Sequence, residues 1–286
     1  MDLKQAAIST CMIVFVLSSM FGMGLGLRVS EIVAPLRNWR LVVLSLVANF
    51  VVMPFAALAL ASILRLDESM GIGLLLLGTA GGAPFLPKLA QISRGNLAFA
   101  VGLMVLLMVT TVGYLPVVLP MLLPGVSVNP TRIARSLAVL MLLPLGGALA
   151  IKANRPGLAA KIKPILDKTS NLSLIVLMAL LTLLNVRSVM AVFGTGGILA
   201  GVVFLAVGFS AGWALGGSRR DMRSVLGLGT AQRNIAAALV VANQSFDDPN
   251  VVVMVVVIAV IGLITLMPLS RALGRRVPPA TATPIG

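Results

Sequence analysis

Long apolar runs alternate with short polar links along the 286-residue chain. A helix needs about 20 mostly apolar residues to cross a bilayer. By that measure the runs at roughly 7–27, 39–64, 70–92, 97–123, 133–152, 169–186, 190–216, 222–244 and 250–272 predict nine spans. An odd number of spans puts the two termini on opposite sides of the membrane. The first run is longer than the apolar part of a signal peptide and lacks a small-residue cleavage site, so it predicts a span. No stretch alternates apolar and polar residues in the manner of a membrane barrel. The expected class is an all-α membrane protein.

Two segments fall outside this pattern. RPGLAAKIKPILDK, residues 155–168, mixes apolar and basic residues and predicts either a short helix on the cytoplasmic membrane face or a plain basic loop. Residues 275–286, ending in VPPATATPIG, predict a disordered cytoplasmic tail.

The polar links also reveal a repeat. LGTAGGAPFLPK at 77–88 and LGTAQRNIAAAL at 228–239 share their first four residues at an offset of 151. Each follows a charged turn, RLDES at 65–69 and GSRRDM at 217–222, and each precedes a polar link, ISRGN at 92–96 and QSFDDPN at 244–250. Span counting gives the two copies opposite directions across the membrane. An inverted repeat with interrupted helices in matching positions points to a transporter binding site. Gly81, Gly82, Pro84 and Pro87 break the first copy, because proline removes an N–H and clashes with the preceding turn. A simple proline kink is the alternative.

Composition narrows the class further. The chain is 59% hydrophobic and 10% charged, too little charge for a water-facing surface. A net charge of +14 does not imply nucleic acid, because the basic residues form no single patch. They divide by side instead. Lys4, Arg65, Arg132, Arg135 and Arg187 fall on the side of the N-terminus. Arg28, Arg37, Arg40, Arg94, Lys152, Arg155, Lys161, Lys163, Lys168, Arg219, Arg220, Arg223, Arg271, Arg275 and Arg276 fall on the other. The positive-inside rule then places the N-terminus outside and the C-terminus in the cytoplasm of a bacterial-type plasma membrane. Trp39 and Trp213 sit at the basic ends of their spans, where interfacial aromatics belong.

Lys88 and Arg233 remain inside spans. Arg233 lies roughly 16 Å into its helix, near the middle of a core about 30 Å thick. A central arginine costs about 2.5–3.5 kcal/mol on insertion scales, so something must offset it. Arg233 faces a cavity and holds an anion, caps backbone carbonyls released by the break, or does both. Lys88 either snorkels to the cytoplasmic face or supplies a second cation. Asn49, Thr79, Thr230, Gln232 and Asn234 are candidate polar partners or substrate contacts at the same level. Thr110, Thr111, Asn171, Thr182 and Asn185 are scattered and read as hydrogen bonds between helices.

The eight acids all lie in links or near span ends, and the chain has one cysteine and no histidine. A cysteine–histidine metal site, a disulfide and the usual proton carriers are therefore excluded. No cofactor is implied.

Several stretches resemble the bile acid:sodium symporter family: MFGMGLGLRVSE at 20–31, ANFVVMP at 48–54, the glycine-rich stretch ending ISRGN at 92–96, and GTAQRNIAAALVVA at 229–242. The resemblance implies a nine-helix member lacking the first helix. It implies a core of about 39–123 and 190–272, a panel of about 7–27 and 133–186, and a substrate bound between them. It also implies a departure. Sodium-binding members carry a glutamate and a glutamine where this chain has Gly229 and Arg233, and retain an asparagine at Asn234. A serine–asparagine pair falls on Leu86 and Pro87, and a serine and threonine on Ala100 and Met104. Asn49 alone nearly matches a sodium ligand, a glutamine. Fixed positive charge at Arg233, with or without Lys88, then stands in for bound sodium.

Three functions follow for comparison. One is a secondary transporter of an organic anion, bile-acid-like or smaller, by alternating access and weakly or not sodium-dependent. A fully sodium-coupled symporter with a rearranged site is its variant. The second is a non-transporting receptor or sensor, which no soluble output domain supports. The third, an intramembrane enzyme, lacks a nucleophile–base pair. The expected partners are a small organic anion and the lipid bilayer.

Overall fold

A computed structural model describes residues 3–33, 37–123, 129–184 and 194–275. Among these residues every regular element is helical. In lipid, where no water satisfies the backbone, a helix is the element that closes its own hydrogen bonds. The order is α1 (Leu3–Gly26), α2 (Val29–Val33), α3 (Trp39–Val47), α4 (Met53–Ile63), α5 (Glu68–Thr79), α6 (Leu86–Ile92), α7 (Leu97–Leu122), α8 (Pro130–Leu137), α9 (Leu143–Asn154), α10 (Pro156–Leu184), α11 (Gly197–Leu215), α12 (Arg220–Ala231), α13 (Ile235–Ser245) and α14 (Pro249–Arg275).

Local chemistry sets the starts. Asn38, Asp67, Asn96, Asn129 and Asn234 each accept a hydrogen bond from a backbone N–H three residues on. These are N-caps that satisfy a donor the first turn leaves free.

Among the described residues two π turns interrupt otherwise continuous helices, Ala48–Val52 between α3 and α4 and Ala138–Leu142 between α8 and α9. Each is followed at its second helical residue by a proline, Pro54 and Pro144. In the first π turn the N–H of Met53 reaches back five residues to Ala48, and in the second that of Leu143 reaches Ala138. Proline removes the donor that the carbonyl four residues earlier would have met. In the first case that carbonyl, Phe50, accepts instead from the Tyr114 hydroxyl at 2.6 Å.

Seven helical stretches among the described residues are long and apolar enough to cross a membrane: 6–26, 39–63, 97–122, 130–154, 197–215, 220–245 and 249–275. Phe55, Ile63, Met121, Leu143 and Ile264 are each more than 60% exposed on them. Apolar side chains so arranged suit lipid. The expected span at 70–92 is split into α5 and α6, each too short to cross alone. The end of the expected span at 169–186, with Asn185 and Arg187, the start of that at 190–216 and residues 276–286 lie outside the described residues, while Arg275, expected in the tail, closes α14.

The stretch at 155–168 corrects the expectation. It is neither a separate surface helix nor a loop, but the first half of α10, continuous with the span that follows. Two of its charges lie against α1. Gly22 and Gly26 leave room for the side chains of Asp167 and Lys163, which pair with each other at 2.5 Å.

α1 packs along α10 and α9, while α5 packs with α4 and α14, and α11 packs along α12. Gly212 of α11 permits the last contact, because a Cβ there would lie 2.4 Å from the Leu226 carbonyl oxygen. α12 also packs on α6 and α7, and Arg233 just beyond it reaches the end of α5.

Candidate functional site

Both α5 and α12 stop inside the protein. α5 ends at Thr79 and the chain runs unwound to Phe85 before α6. α12 ends at Ala231, and Gln232, Arg233 and Asn234 lead into α13. The two breaks meet. The backbone N–H of Asn234 donates to the carbonyl of Ala80 at 2.9 Å, and its side-chain amide donates to that of Gly82 at 3.1 Å. Asn234 also caps α13 through the N–H of Ala237. One residue thus joins the breaks and starts the second half-helix.

Gly82 adopts φ +81°, the left-handed region that favours glycine. A Cβ there would lie 2.2 Å from the backbone nitrogen of Met108, so α7 closes against the unwound strand. Thr111 of α7 accepts from the N–H of Gly81 at 2.9 Å and donates to its carbonyl at 3.0 Å. Pro87, expected to help break this helix, instead occupies the first turn of α6, where no backbone donor is needed.

Arg233 is 3% exposed. Its Nε donates to the carbonyl of Leu77 at 2.8 Å. Nη1 donates to Asn49 Oδ1 at 2.7 Å and to the carbonyl of Thr230 at 3.1 Å. Nη2 donates to the carbonyls of Gly78 at 2.9 Å and Asn49 at 3.4 Å. A guanidinium has five N–H donors, and all five are used. Of the two roles open for Arg233, this geometry is that of the carbonyl cap. Its partners are neutral, so its donors are saturated while its charge is not balanced.

The remaining candidates divide. Asn49 sits in the first π turn, donates to the Ser45 carbonyl and the Thr230 hydroxyl, and so ties α3 to α12. Thr230 is drawn into the same cluster. Thr79 is buried but donates back to Leu75 and Leu76 of its own helix. Gln232 lines a small cavity with Leu77, Leu205, Ile258 and Leu266. Lys88 is exposed on α6 and is not part of the buried cluster. Asn171 is exposed, and Thr110 donates within its own helix to Leu106. Sequence reasoning passed over Tyr114. The proline four residues after Phe50 signalled a free carbonyl but not the donor that meets it.

Of the positions that the resemblance sets against sodium ligands, Gly229, Leu86, Pro87, Ala100 and Met104 carry no side-chain oxygen. Leu86, Ala100 and Met104 are fully buried, and a Cβ on Gly229 would lie 2.9 Å from Leu86 Cδ2 and 3.2 Å from Leu103 Cδ2. No cluster of three or more His, Cys, Asp or Glu able to hold a metal occurs among the described residues.

A model of the sodium bile acid symporter family matches residues 12–192, which include Asn49 and the first break. The chain belongs to the sodium bile acid symporter family. It is an integral, multi-pass membrane protein. Among its relatives is the "uncharacterized sodium-dependent transporter YocS" of Bacillus subtilis (strain 168), 29% identical over 152 residues, which are 51% of this chain and 46% of that one. Another is the "probable sodium/metabolite cotransporter BASS6, chloroplastic" of Arabidopsis thaliana, 24% identical over 245 residues, covering 81% of this chain and 60% of the relative. The "probable sodium/metabolite cotransporter BASS5, chloroplastic" of Oryza sativa subsp. indica is 21% identical over 269 residues, 88% of this chain and 67% of its own. The alignments with the first two thus span about half to three fifths of those proteins' lengths. The family and these relatives are transporters, not enzymes.

Proposed function

We propose that this symporter-family chain is a secondary transporter that moves a small organic anion by alternating access, with sodium coupling weak or absent. One observation carries the reading: two interrupted helices meet through their breaks at a buried arginine whose hydrogen-bond partners among the described residues are all neutral. Non-helical backbone at membrane depth is tolerated where protein buries it or where it lines a cavity. Paired interrupted helices are how many secondary transporters build their sites, and the segments at 77–88 and 228–239 would be the two copies of an inverted repeat.

The anion follows from electrostatics. A unit charge held among neutral dipoles in a low-dielectric interior reaches further than one in water. The N-terminus of α13 adds positive potential at the same junction. An anion bound beside the breaks balances that field without displacing the five hydrogen bonds of Arg233. The moving parts would be α1, α8, α9 and α10 on one side and the helices around the breaks on the other. The charge bias of the links supports an outside N-terminus.

Counterflow of labelled carboxylates into proteoliposomes, in sodium and in choline, tests this. Saturable counterflow of comparable rate in both buffers is expected. Strict sodium dependence would overturn the coupling clause. Saturable binding without counterflow would favour a receptor.

A further inference from the structure

The acceptors around Arg233 come from three separate places: the end of α5 (Leu77, Gly78), the first π turn (the carbonyl and Oδ1 of Asn49) and the end of α12 (Thr230). All are carbonyl or amide oxygens. Such oxygens can replace the hydration shell of a monovalent cation. Gathered around one group in a buried interior, they repel one another unless that group is positive. The guanidinium is that group, and its planar fork reaches all of them at once. The other place expected to hold a cation is filled by Leu86 and Leu103 around Gly229.

We propose that Arg233 is a tethered cation: its guanidinium fills an oxygen cage that pins the two helix breaks to the π turn, so that the junction needs no dissociable sodium ion. Removing the side chain opens the cage to a free cation. The inference deepens the sodium clause of the proposed function, but its test reads binding rather than transport.

The full chain is purified in detergent as wild type, Arg233→Ala, Arg233→Lys and Arg233→Met. Thermal unfolding is followed in choline, sodium or low guanidinium at matched ionic strength. Wild type is expected to unfold at the same temperature in choline and sodium. Arg233→Ala is expected to unfold lower in choline and to recover saturably, by roughly 5 °C, as guanidinium fills the cage. A saturable sodium stabilisation of wild type overturns the proposal, as does a folded Arg233→Ala that no cation stabilises. If Arg233→Ala does not fold, Arg233→Lys is compared with Arg233→Met. The charged variant is expected to unfold several degrees higher, and an equal or reversed order overturns the proposal. Cation rescue without counterflow of any carboxylate would retire the transport reading and leave the cage intact.

Discussion

The two helix breaks share the sequence LGTA and little else. The first, from Ala80 to Phe85, holds two glycines and a proline among apolar residues and carries no charge. It frees carbonyls and, through Pro84, removes a donor. The second, Gln232 to Asn234, is shorter and rich in side-chain N–H groups. Arg233 and Asn234 donate to Leu77, Gly78, Ala80 and Gly82, all at or beside the first break. One break is an acceptor and the other a donor. Two identical interruptions would each need outside partners, whereas this unlike pair satisfies much of itself.

The largest test of that asymmetry removes the donor. Arg233→Met leaves several buried oxygens without partners, each worth about 1–3 kcal/mol. A loss of about 4 kcal/mol or more is expected in thermal unfolding, within the range reserved for broken buried networks. A loss below about 1 kcal/mol would mean that water or neighbouring groups replace the guanidinium.

The acceptor break fails differently, through shape. Gly82→Ala places a Cβ 2.2 Å from the Met108 nitrogen at φ +81°, and a loss of about 3 kcal/mol is expected. Gly81→Ala, whose nearest contacts are at 3.3 Å or beyond, is expected to cost less than about 1 kcal/mol. Similar losses at the two glycines would show that the strand shifts freely. On the donor side, Gly229→Ala meets only the flexible ends of Leu86 and Leu103 and is expected to cost about 1 kcal/mol.

These contrasts explain what was legible in the sequence. The all-α class and both interruptions were readable because apolar run length, proline, glycine and buried charge are local signals. The partners of Arg233 were not, because Leu77 and Asn49 lie 156 and 184 residues away. The role of Arg233 stayed open for that reason: its cost was visible and the groups that offset it were not. The α10 stretch misled for a related reason. Lys161, Lys163 and Lys168 carry the composition of a membrane-surface helix, and only the gaps at Gly22 and Gly26 of α1 reveal a packed one.

The smallest expected effect lies where the donor half-helix leaves the junction. The end of α13 touches α1 and α8 through two polar contacts, Asn243 donating to the Ser9 hydroxyl and the Ser136 hydroxyl donating to Gln244. If α1 and α8 move against α13 during alternating access, these two bonds hold one closed state. Each contributes only about 0.5 kcal/mol net, so Ser9→Ala with Ser136→Ala should barely change the unfolding temperature. The same energy applied to a two-state equilibrium shifts it about three- to fivefold. Cys11, the chain's single cysteine, lies two residues from Ser9 and is partly buried, which makes it a native reporter. Its alkylation rate is expected to rise about three- to fivefold in the double variant with little change in stability. An unchanged rate would mean that α13 is not released from α1 and α8, and that any movement between the two helix groups divides elsewhere.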